Sequence, residues 1–236
     1  MSEKIVLVQF RTDEEIILHE KECIARELNV EVKQLICYNA TQHDLSGLIV
    51  SDYDAFIFGG SGEFCVSTED ELINVMRQNM KVLFGNIVDN NIPSLFICFG
   101  FHMISDYLGL FIRKDPSRAE IGTAHIYLTE NGKEDPLFAH VGHQFLAQQA
   151  HNDSVIEFPD GVFPLAESKR CPVQAYRVKR YIYALQFHPE LQRDDMFKRL
   201  SSYSDEYNTD HSKFKESTEA KLILQNFKEI IEKKGK

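Results

Sequence analysis

Three short stretches of the sequence carry residue types that could catalyse acyl transfer. The first contains Cys98, which closes an apolar run at 94–97 and precedes Gly100, where a helical pattern begins. A thiol at a strand-to-helix turn lies beside backbone N–H groups that favour a thiolate and an oxyanion. The alternative for a lone cysteine is a buried structural thiol.

The other two stretches could supply a base and an oxyanion site. QFHPE at 186–190 places His188 two residues before Glu190. A thiol needs a base, and the base needs a third group to hold its tautomer. GGSG at 59–62 would bring bare backbone N–H groups close to a reacting carbonyl. The ordinary alternatives are a strand-ending turn for the first stretch and a tight turn for the second.

Alternating apolar runs and helical patterns would position these stretches. We predict strands over 5–10, 30–38, 55–58 and 94–98, and helices over 13–28, 69–90 and about 101–108. Apolar runs without polar alternation are typical of strands buried on both faces, and their alternation with helices indicates a parallel sheet. In such sheets the working residues follow the carboxyl ends of the strands, where GGSG and Cys98 stand.

After residue 120 the pattern changes to short strands and turns. Strands over 125–128, 145–149, 173–178 and 181–187 predict an antiparallel β extension of the same sheet, with a turn at Asn131-Gly132. The polar residues 201–217 predict a mobile loop, and 218–234 a C-terminal helix. With neither an internal repeat nor a linker, 1–236 is predicted to be a single domain.

Composition excludes several classes of function. Lys and Arg number 26 against 36 Asp and Glu, a net charge of −10 that disfavours nucleic-acid binding. The five cysteines are an odd number and no pair has C-x-x-C spacing, which argues against disulfides and zinc and fits a reducing compartment. Without a signal-like or long apolar segment, we expect a soluble cytoplasmic protein that contacts no membrane. No metal or organic cofactor is predicted.

Together and in this order, the three stretches resemble class I glutamine amidotransferases, most closely single-domain members similar to the amidotransferase part of GMP synthase. The resemblance covers about residues 45–192, in FGGSGEF at 58–64, ICFG at 97–100, EIGTAHIYLTENGKEDPLF at 120–138, HNDSV at 151–155 and YALQFHPE at 183–190. It implies a flavodoxin-like α/β fold: an open, mostly parallel sheet with helices on both faces and an antiparallel β extension.

The resemblance also implies roles for individual residues. Cys98 would attack the side-chain amide of glutamine, His188 would move the proton to the leaving ammonia, and Glu190 would orient His188. The backbone N–H groups of Gly60 and Phe99 would hold the oxyanion, and water would release glutamate from the thioester. Substrate-binding roles are implied for Gly59, Gly100, His102, Asp153 and Gln186. The loop at His151–Asp153 would lie beside the substrate, with a polar turn as the alternative. The other four cysteines are interpreted as structural.

Two residues depart from the family's Gly-x-Cys-x-Gly elbow, which is followed by Gln two residues later. Phe96 replaces the first glycine, and it must either pack into the core or loosen the elbow. His102 replaces the glutamine and offers a different set of donors and acceptors. The Cys, His and Glu positions are unchanged.

The leading functional hypothesis is therefore a glutamine amidotransferase or glutaminase acting on glutamine or a γ-glutamyl compound. The Ser-Gly-Gly-x-Asp-Ser loop of the ATP-pyrophosphatase domain of GMP synthase does not occur in the sequence. We therefore expect the ammonia to pass to a separate synthetase or the chain to be a free-standing hydrolase. Two alternatives remain, both suggested by the altered elbow: a γ-glutamyl hydrolase with another substrate, and a catalytically silent binding protein.

Overall fold

The computed structural model describes residues 3–158, 161–203 and 210–235. The strands in these residues are β1 Ile5–Gln9, β2 Leu35–Asn39, β3 Ala55–Phe58, β4 Ser94–Ile97, β5 Ile112–Lys114, β6 Glu120–Leu128, β7 Gln144–His151, β8 Asp153–Val155, β9 Val162–Ser168, β10 Ala175–Val178 and β11 Ile182–Leu185. The helices are α1 Glu14–Leu28, α2 Glu71–Asn90, α3 Phe99–Tyr107, α4 Glu130–Glu134, α5 Arg193–Ser201 and α6 Leu222–Lys234. None of the described helices combines the length and apolarity needed to cross a membrane.

The described strands form a nine-stranded sheet in the order β2-β1-β3-β4-β11-β10-β9-β6-β7, beside a two-stranded pair of β5 and β8. Strands β2, β1, β3, β4 and β11 run parallel, and the remaining four pairings are antiparallel. The predicted fold class, a mostly parallel sheet with helices on both faces and an antiparallel extension, is confirmed. The carboxyl ends of β1, β3, β4 and β11 consequently meet at one edge of the sheet.

Successive residues of the central strands enter two different hydrophobic layers. In β4, Leu95 and Ile97 belong to the layer that contains α1 and α6, whereas Phe96 belongs to the layer that contains α2 and α3. All four side chains of β4 are buried. This burial explains the apolar runs without polar alternation in the sequence.

The structure corrects several predicted boundaries. The second strand begins at Leu35 rather than at residue 30, because Glu31 and Gln34 cap a 3₁₀ turn over Val32–Gln34. Strand β9 was not predicted, and its Pro164 lies next to a break in the register with β10. The stretch at Asn131-Gly132 belongs to α4 instead of a turn.

The C-terminal part of the structure agrees in outline with the elements predicted from the sequence. Within the predicted loop at 201–217, residues 204–209 lie outside the described residues, while Phe214 and Ser217 are buried. The last helix begins at Leu222, four residues later than predicted, and its buried face packs into the layer that contains α1.

Phe96 packs away from the nucleophile position. Its ring stacks on that of Phe58, with centroids 4.3 Å apart and planes inclined by 2°, and meets Phe84 of α2 edge-on. Phe96 is fully buried in this aromatic cluster. The large side chain two positions before Cys98 is therefore accommodated in the layer that contains α2 and α3, outside the elbow.

Phe96→Ala should lower the free energy of unfolding by about 3–5 kcal/mol, because it leaves a cavity among the stacked rings. Phe111→Ala is the matched control: this ring is 63% exposed, and its removal should change stability by less than about 0.5 kcal/mol. Urea denaturation measures both. Equal losses in the two variants would contradict the packing described for Phe96.

Candidate active site

Cys98 lies between β4 and α3 with φ 51° and ψ −101°, a backbone conformation rarely adopted by residues other than glycine. Such a conformation costs about 1–3 kcal/mol and persists where the surroundings enforce it. The N–H of Cys98 donates to the carbonyl of Leu185, and the N–H of Gly100 donates to that of Gly59. A Cβ on Gly100 would lie 2.6 Å from the carbonyl oxygen of Phe58, so only glycine fits there.

The structure brings His188 and Glu190 to this elbow. The Nδ1 atom of His188 lies 2.9 Å from Oε1 of Glu190, and both side chains are buried. The ring of His188 also lies beside Cys98, since a Cβ on Gly60 would be 2.9 Å from His188 Cε1 and 3.5 Å from Cys98 Cβ, and the Cys98 sulfur lies 3.9 Å from the carbonyl oxygen of Ala150. The backbone of His188 is held by its N–H, which donates to the carbonyl of Gln148 in β7. Cys98 and the His188–Glu190 pair, which lie in two distant stretches of the sequence, thus meet at the elbow.

Electrostatics favour the charged forms of His188 and Glu190. Burial by itself lowers the pKa of His188, but the carboxylate of Glu190 and the thiol group of Cys98 together raise this pKa to about 9. Burial opposes ionisation of Glu190 as well, and the imidazolium of His188 and the guanidinium of Arg199 hold its pKa well below the usual range. Glu190 therefore orients the ring of His188 and stabilises its protonated form.

Burial determines the ionisation of three of the other thiols. Burial raises the pKa of Cys23 to about 12 and that of Cys171 to about 11, and it also raises the pKa of Cys37. These three thiols remain protonated and unreactive at neutral pH. Cys65, interpreted from the sequence as structural, lines the same pocket as Cys98.

A buried network of opposite charges supports the site, which we call the Arg–Glu network: Arg11, Glu20, Arg199 and Glu190. Arg199 Nη1 lies 3.1 Å from Glu190 Oε1 and 3.7 Å from Glu20 Oε1. Arg11 Nη2 donates to Glu20 Oε1 at 3.0 Å, and Gln9 Nε2 donates to Glu20 Oε2. The network therefore ties α1, the end of β1 and α5 to the residue that orients His188.

Glu20, Arg11 and Arg199 were not predicted as site residues. One signal was available: Glu20 falls four residues after Ile16 and four before Ile24, in the middle of the buried stripe of α1. A charged residue in an apolar stripe requires a buried partner, but the sequence does not identify which cation supplies it.

The two predicted oxyanion donors differ in availability. Phe99 is the first residue of α3, so its N–H has no acceptor within the helix. The N–H of Gly60, in contrast, donates to Glu20 Oε1 at 3.2 Å. Gly60 nevertheless lies next to both Cys98 and His188, because a Cβ on it would be 2.9 Å from His188 Cε1 and 3.5 Å from Cys98 Cβ. For Gly60 to hold an oxyanion, its N–H must exchange Glu20 for the substrate.

A pocket opens beside the thiol, and we call it the thiol pocket. Its described lining comprises Ser61, Phe64, Cys65, Cys98, Phe99, His102, Ala150, His151, Asn152 and Asp153. Of the predicted substrate-binding residues, His102 and Asp153 line this pocket, while Gly59, Gly100 and Gln186 are not part of its lining. Asp153 is held in place because its carboxylate accepts from the backbone N–H of Ser67.

His102 is a neutral side chain in this pocket wall. Burial lowers its pKa to about 4, and its Nε2–H donates to Oε1 of Gln186 at 2.7 Å. The Nε2 atom of Gln186 is buried and has no hydrogen-bond partner in the described part of the chain. The substitution of His102 for the family's glutamine thus places a ring, rather than a flexible amide, next to Cys98.

Among the described residues, one group of His, Cys and Asp has its ligand atoms within 4.8 Å of one another: His19, Cys23 and Asp195. The carboxylate of Asp195 already accepts from Arg26 Nη2 at 2.6 Å, and His19 Nε2 lies 3.5 Å from the Cys23 sulfur. An arginine on the carboxylate and a protonated thiol make this a hydrogen-bonded core cluster.

The chain is similar to a known protein family over most of its length. The family model of glutamine amidotransferase class-I matches residues 19–200. The chain belongs to the class I glutamine amidotransferase family. A glutamine-hydrolysing GMP synthase subunit of Sulfurisphaera tokodaii is 33% identical over 152 residues, which is 62% of this chain and 72% of that protein.

Other relatives of this chain are longer. The glutamine-hydrolysing GMP synthase of Borreliella burgdorferi (strain ATCC 35210) is 29% identical over 170 residues, and the chain matches only 29% of that enzyme's length. A solved glutamine amidotransferase structure from Thermotoga maritima shares the fold, with a TM-score of 0.77 and 20% identity over 98% of this chain and 99% of that one.

Glu20→Gln should lower the free energy of unfolding by about 3–5 kcal/mol, because two buried guanidinium groups lose the carboxylate between them. Glu229→Gln is the matched control, since Glu229 pairs with Lys233 on the surface of α6 and its loss should cost less than about 0.5 kcal/mol. Both values come from chemical denaturation. A Glu20 variant as stable as the control would contradict a central role for this carboxylate.

Proposed function

We propose that the chain hydrolyses the side-chain amide of glutamine, or of a γ-glutamyl compound, through a thioester on Cys98. The observation that carries this proposal is the ring of His188 beside Cys98, with Glu190 Oε1 2.9 Å from its Nδ1, at a strained elbow that lines a pocket. The family to which the chain belongs supports the same reaction class.

In the first half of the reaction, the sulfur of Cys98 attacks the γ-carbonyl carbon of a substrate held in the thiol pocket. His188 takes the thiol proton, and the negative charge on the carbonyl oxygen is held by the N–H of Phe99. The N–H of Gly60 also donates to the oxyanion once the oxyanion has displaced the carboxylate of Glu20 from this N–H. The intermediate then collapses: the carbon–nitrogen bond breaks, and His188 gives its proton to the leaving nitrogen.

In the second half, water attacks the thioester carbon. His188 accepts a proton from this water, the carbon–sulfur bond breaks and the thiol is restored. Glu190 remains ionised throughout, and its negative charge stabilises the imidazolium that forms in each half. The products are glutamate and ammonia when the substrate is glutamine.

A separate synthetase is the proposed acceptor of this ammonia. Two relatives that match over most of their length, from Sulfurisphaera tokodaii and Sulfolobus acidocaldarius, are named as one subunit of a GMP synthase. Such a name implies a partner in those proteins, and we extend this arrangement to the present chain as a proposal. A γ-glutamyl hydrolase that needs no synthetase is the second candidate, favoured by the ring of His102 in the wall of the thiol pocket.

Cys98→Ala should abolish glutamate release, a loss of at least about 10³-fold, because no other group replaces the nucleophile. Cys37→Ala is the matched control and should retain full activity, since burial keeps that thiol protonated. Coupled detection of glutamate from glutamine and from γ-glutamyl compounds measures both variants. Equal activity of wild type and Cys98→Ala would overturn the assignment of the nucleophile.

A chloroketone analogue of glutamine separates a silent binding protein from an enzyme. We expect it to alkylate Cys98, as read by peptide mass spectrometry, because Cys98 lines the thiol pocket beside His188, whereas burial keeps the thiols of Cys23, Cys37 and Cys171 protonated. Absence of alkylation together with absence of hydrolysis would favour a catalytically silent protein.

The pH dependence of kcat/KM should report on His188. Only the imidazolium can protonate the leaving nitrogen, so activity should fall as the pH rises through about 9, the raised pKa of His188. In Glu190→Gln the neighbouring charge is lost, the pKa of His188 decreases, and the alkaline limb should move to lower pH by about one unit or more. The surface variant Glu229→Gln should leave this limb unchanged. An unmoved limb in Glu190→Gln would contradict the coupling.

A further inference from the structure

A second pocket adjoins the thiol pocket, and we call it the apolar pocket. The two pockets share Ser61 and Ala150 in their described linings. The carbonyl oxygen of Ala150 lies 3.9 Å from the Cys98 sulfur, so this shared wall stands beside the proposed nucleophile. Cys98 lines the thiol pocket, whereas His188 lines the apolar pocket. The proposed nucleophile and its base therefore face two different spaces that meet at Ala150.

Aliphatic side chains form most of the exposed wall of the apolar pocket. Leu191 follows the His-Pro-Glu turn, and Met196 and Leu200 belong to α5. These three buried residues are part of one hydrophobic cluster, against which Ala150 and Tyr203 pack. The pocket is therefore a recess in this small cluster, outside the two layers that cover the sheet.

The charged groups around this pocket are already paired with other residues. The guanidinium of Arg11 donates to Glu20 and to the hydroxyl of Tyr203, and that of Arg199 donates to Glu190. These pairs lie behind the aliphatic wall, so a ligand in the pocket meets chiefly carbon atoms. Burial of apolar surface rather than hydrogen bonding must therefore drive binding there.

The position of His188 determines the side on which a leaving group departs. In the proposed reaction, His188 gives its proton to the amide nitrogen of an intermediate whose γ-carbon is bonded to the Cys98 sulfur. That nitrogen must face the ring of His188, which lines the apolar pocket. A substituent on the nitrogen consequently extends towards Leu191, Met196 and Leu200, while the glutamyl part of the substrate stays in the thiol pocket. Ammonia, the leaving group from glutamine, has no substituent that could use this wall.

We propose that the apolar pocket is a leaving-group subsite, and that it takes the short alkyl group of an N-alkyl γ-glutamyl amide. The pocket is small, with room for about two water-sized groups, which an ethyl group fills. This inference rests on the proposed thioester chemistry and specifies which amine leaves.

Cleavage of an N-alkyl γ-glutamyl amide balances in atoms and protons. The thiol proton of Cys98 passes to His188, and the sulfur bonds to the γ-carbon. The bond from that carbon to the amide nitrogen then breaks, and the nitrogen takes the proton from His188 and leaves as the free alkylamine. Water adds to the thioester carbon, one of its protons passes through His188 to the sulfur, and glutamate is released.

Binding to Cys98→Ala tests the subsite without requiring turnover. Calorimetry compares glutamine with γ-glutamylethylamide, and we expect the ethylamide to bind tighter by about tenfold, the effect of burying two methylene-sized groups. A second pair, γ-glutamylmethylamide and γ-glutamylhydrazide, separates apolarity from size, because the terminal CH₃ and NH₂ groups are similar in size. The methylamide should bind several-fold tighter than the hydrazide. Equal affinities within both pairs would overturn the subsite.

A change in the wall tests whether the ethyl group lies in the apolar pocket. In the double variant Cys98→Ala, Leu200→Ala, the advantage of the ethylamide over glutamine should shrink, because part of the wall is removed. Cys98→Ala, Leu18→Ala is the matched control and should preserve this advantage, since Leu18 is 52% exposed on α1. Cys98→Ala, Met196→Ala removes a neighbouring part of the same wall if the Leu200 variant does not fold. An undiminished advantage in the wall variants would overturn the assignment of the pocket.

Hydrolysis by the unsubstituted chain distinguishes the subsite from the thioester chemistry. Tighter binding of the ethylamide together with release of ethylamine and glutamate supports the leaving-group role. Hydrolysis of glutamine with equal affinities for glutamine and the ethylamide would overturn the subsite and leave the thioester chemistry standing. Tighter binding of the ethylamide without hydrolysis of either compound would overturn the thioester chemistry and, with it, the leaving-group role of the pocket.

Discussion

The carboxylate of Glu20 joins four separate parts of the chain. It accepts hydrogen bonds from Gln9 at the end of β1, from Arg11 just beyond it and from the backbone of Gly60 after β3, and it lies 3.7 Å from Arg199 in α5. Buried charges are tolerated only when they compensate one another. The loop beside Cys98, the first helix and the helix behind Glu190 are therefore placed by one electrostatic requirement.

Arg199 links this compensation of buried charges to the candidate active site. This guanidinium contacts both Glu20 and Glu190, and Glu190 in turn raises the pKa of His188. A carboxylate that orients a catalytic imidazole must stay ionised while buried, which a hydrophobic surrounding alone would prevent. The Arg–Glu network supplies the compensating charge, so the stability of the α1–α5 contact and the protonation state of His188 have a common origin.

The parts of the fold and site that follow from local pattern could be predicted. The central strands were visible as apolar runs, and the residues of the elbow and of the His-Pro-Glu turn stand in the sequence at strand ends, where parallel sheets gather them. Strand β9 was missed because its Pro164 interrupts the pattern and its pairing with β10 is irregular. Phe96 fits at its position because its ring packs on Phe58 from β3 and Phe84 from α2. These three residues lie far apart in the sequence, so no local pattern predicts their contact. Arg11 and Arg199 lie far apart along the chain, and only the folded chain shows that they share a carboxylate.

The hydrogen bond from the N–H of Cys98 to the carbonyl of Leu185 joins the backbone of the elbow to the last residue of β11. His188 follows three residues later on the same segment. The strand that leads to His188 thus also holds the strained backbone of Cys98. The backbone of Cys98 and the segment that carries His188 are consequently joined directly. A distortion of β11 would therefore act on the backbone of Cys98 and on the His188 segment together.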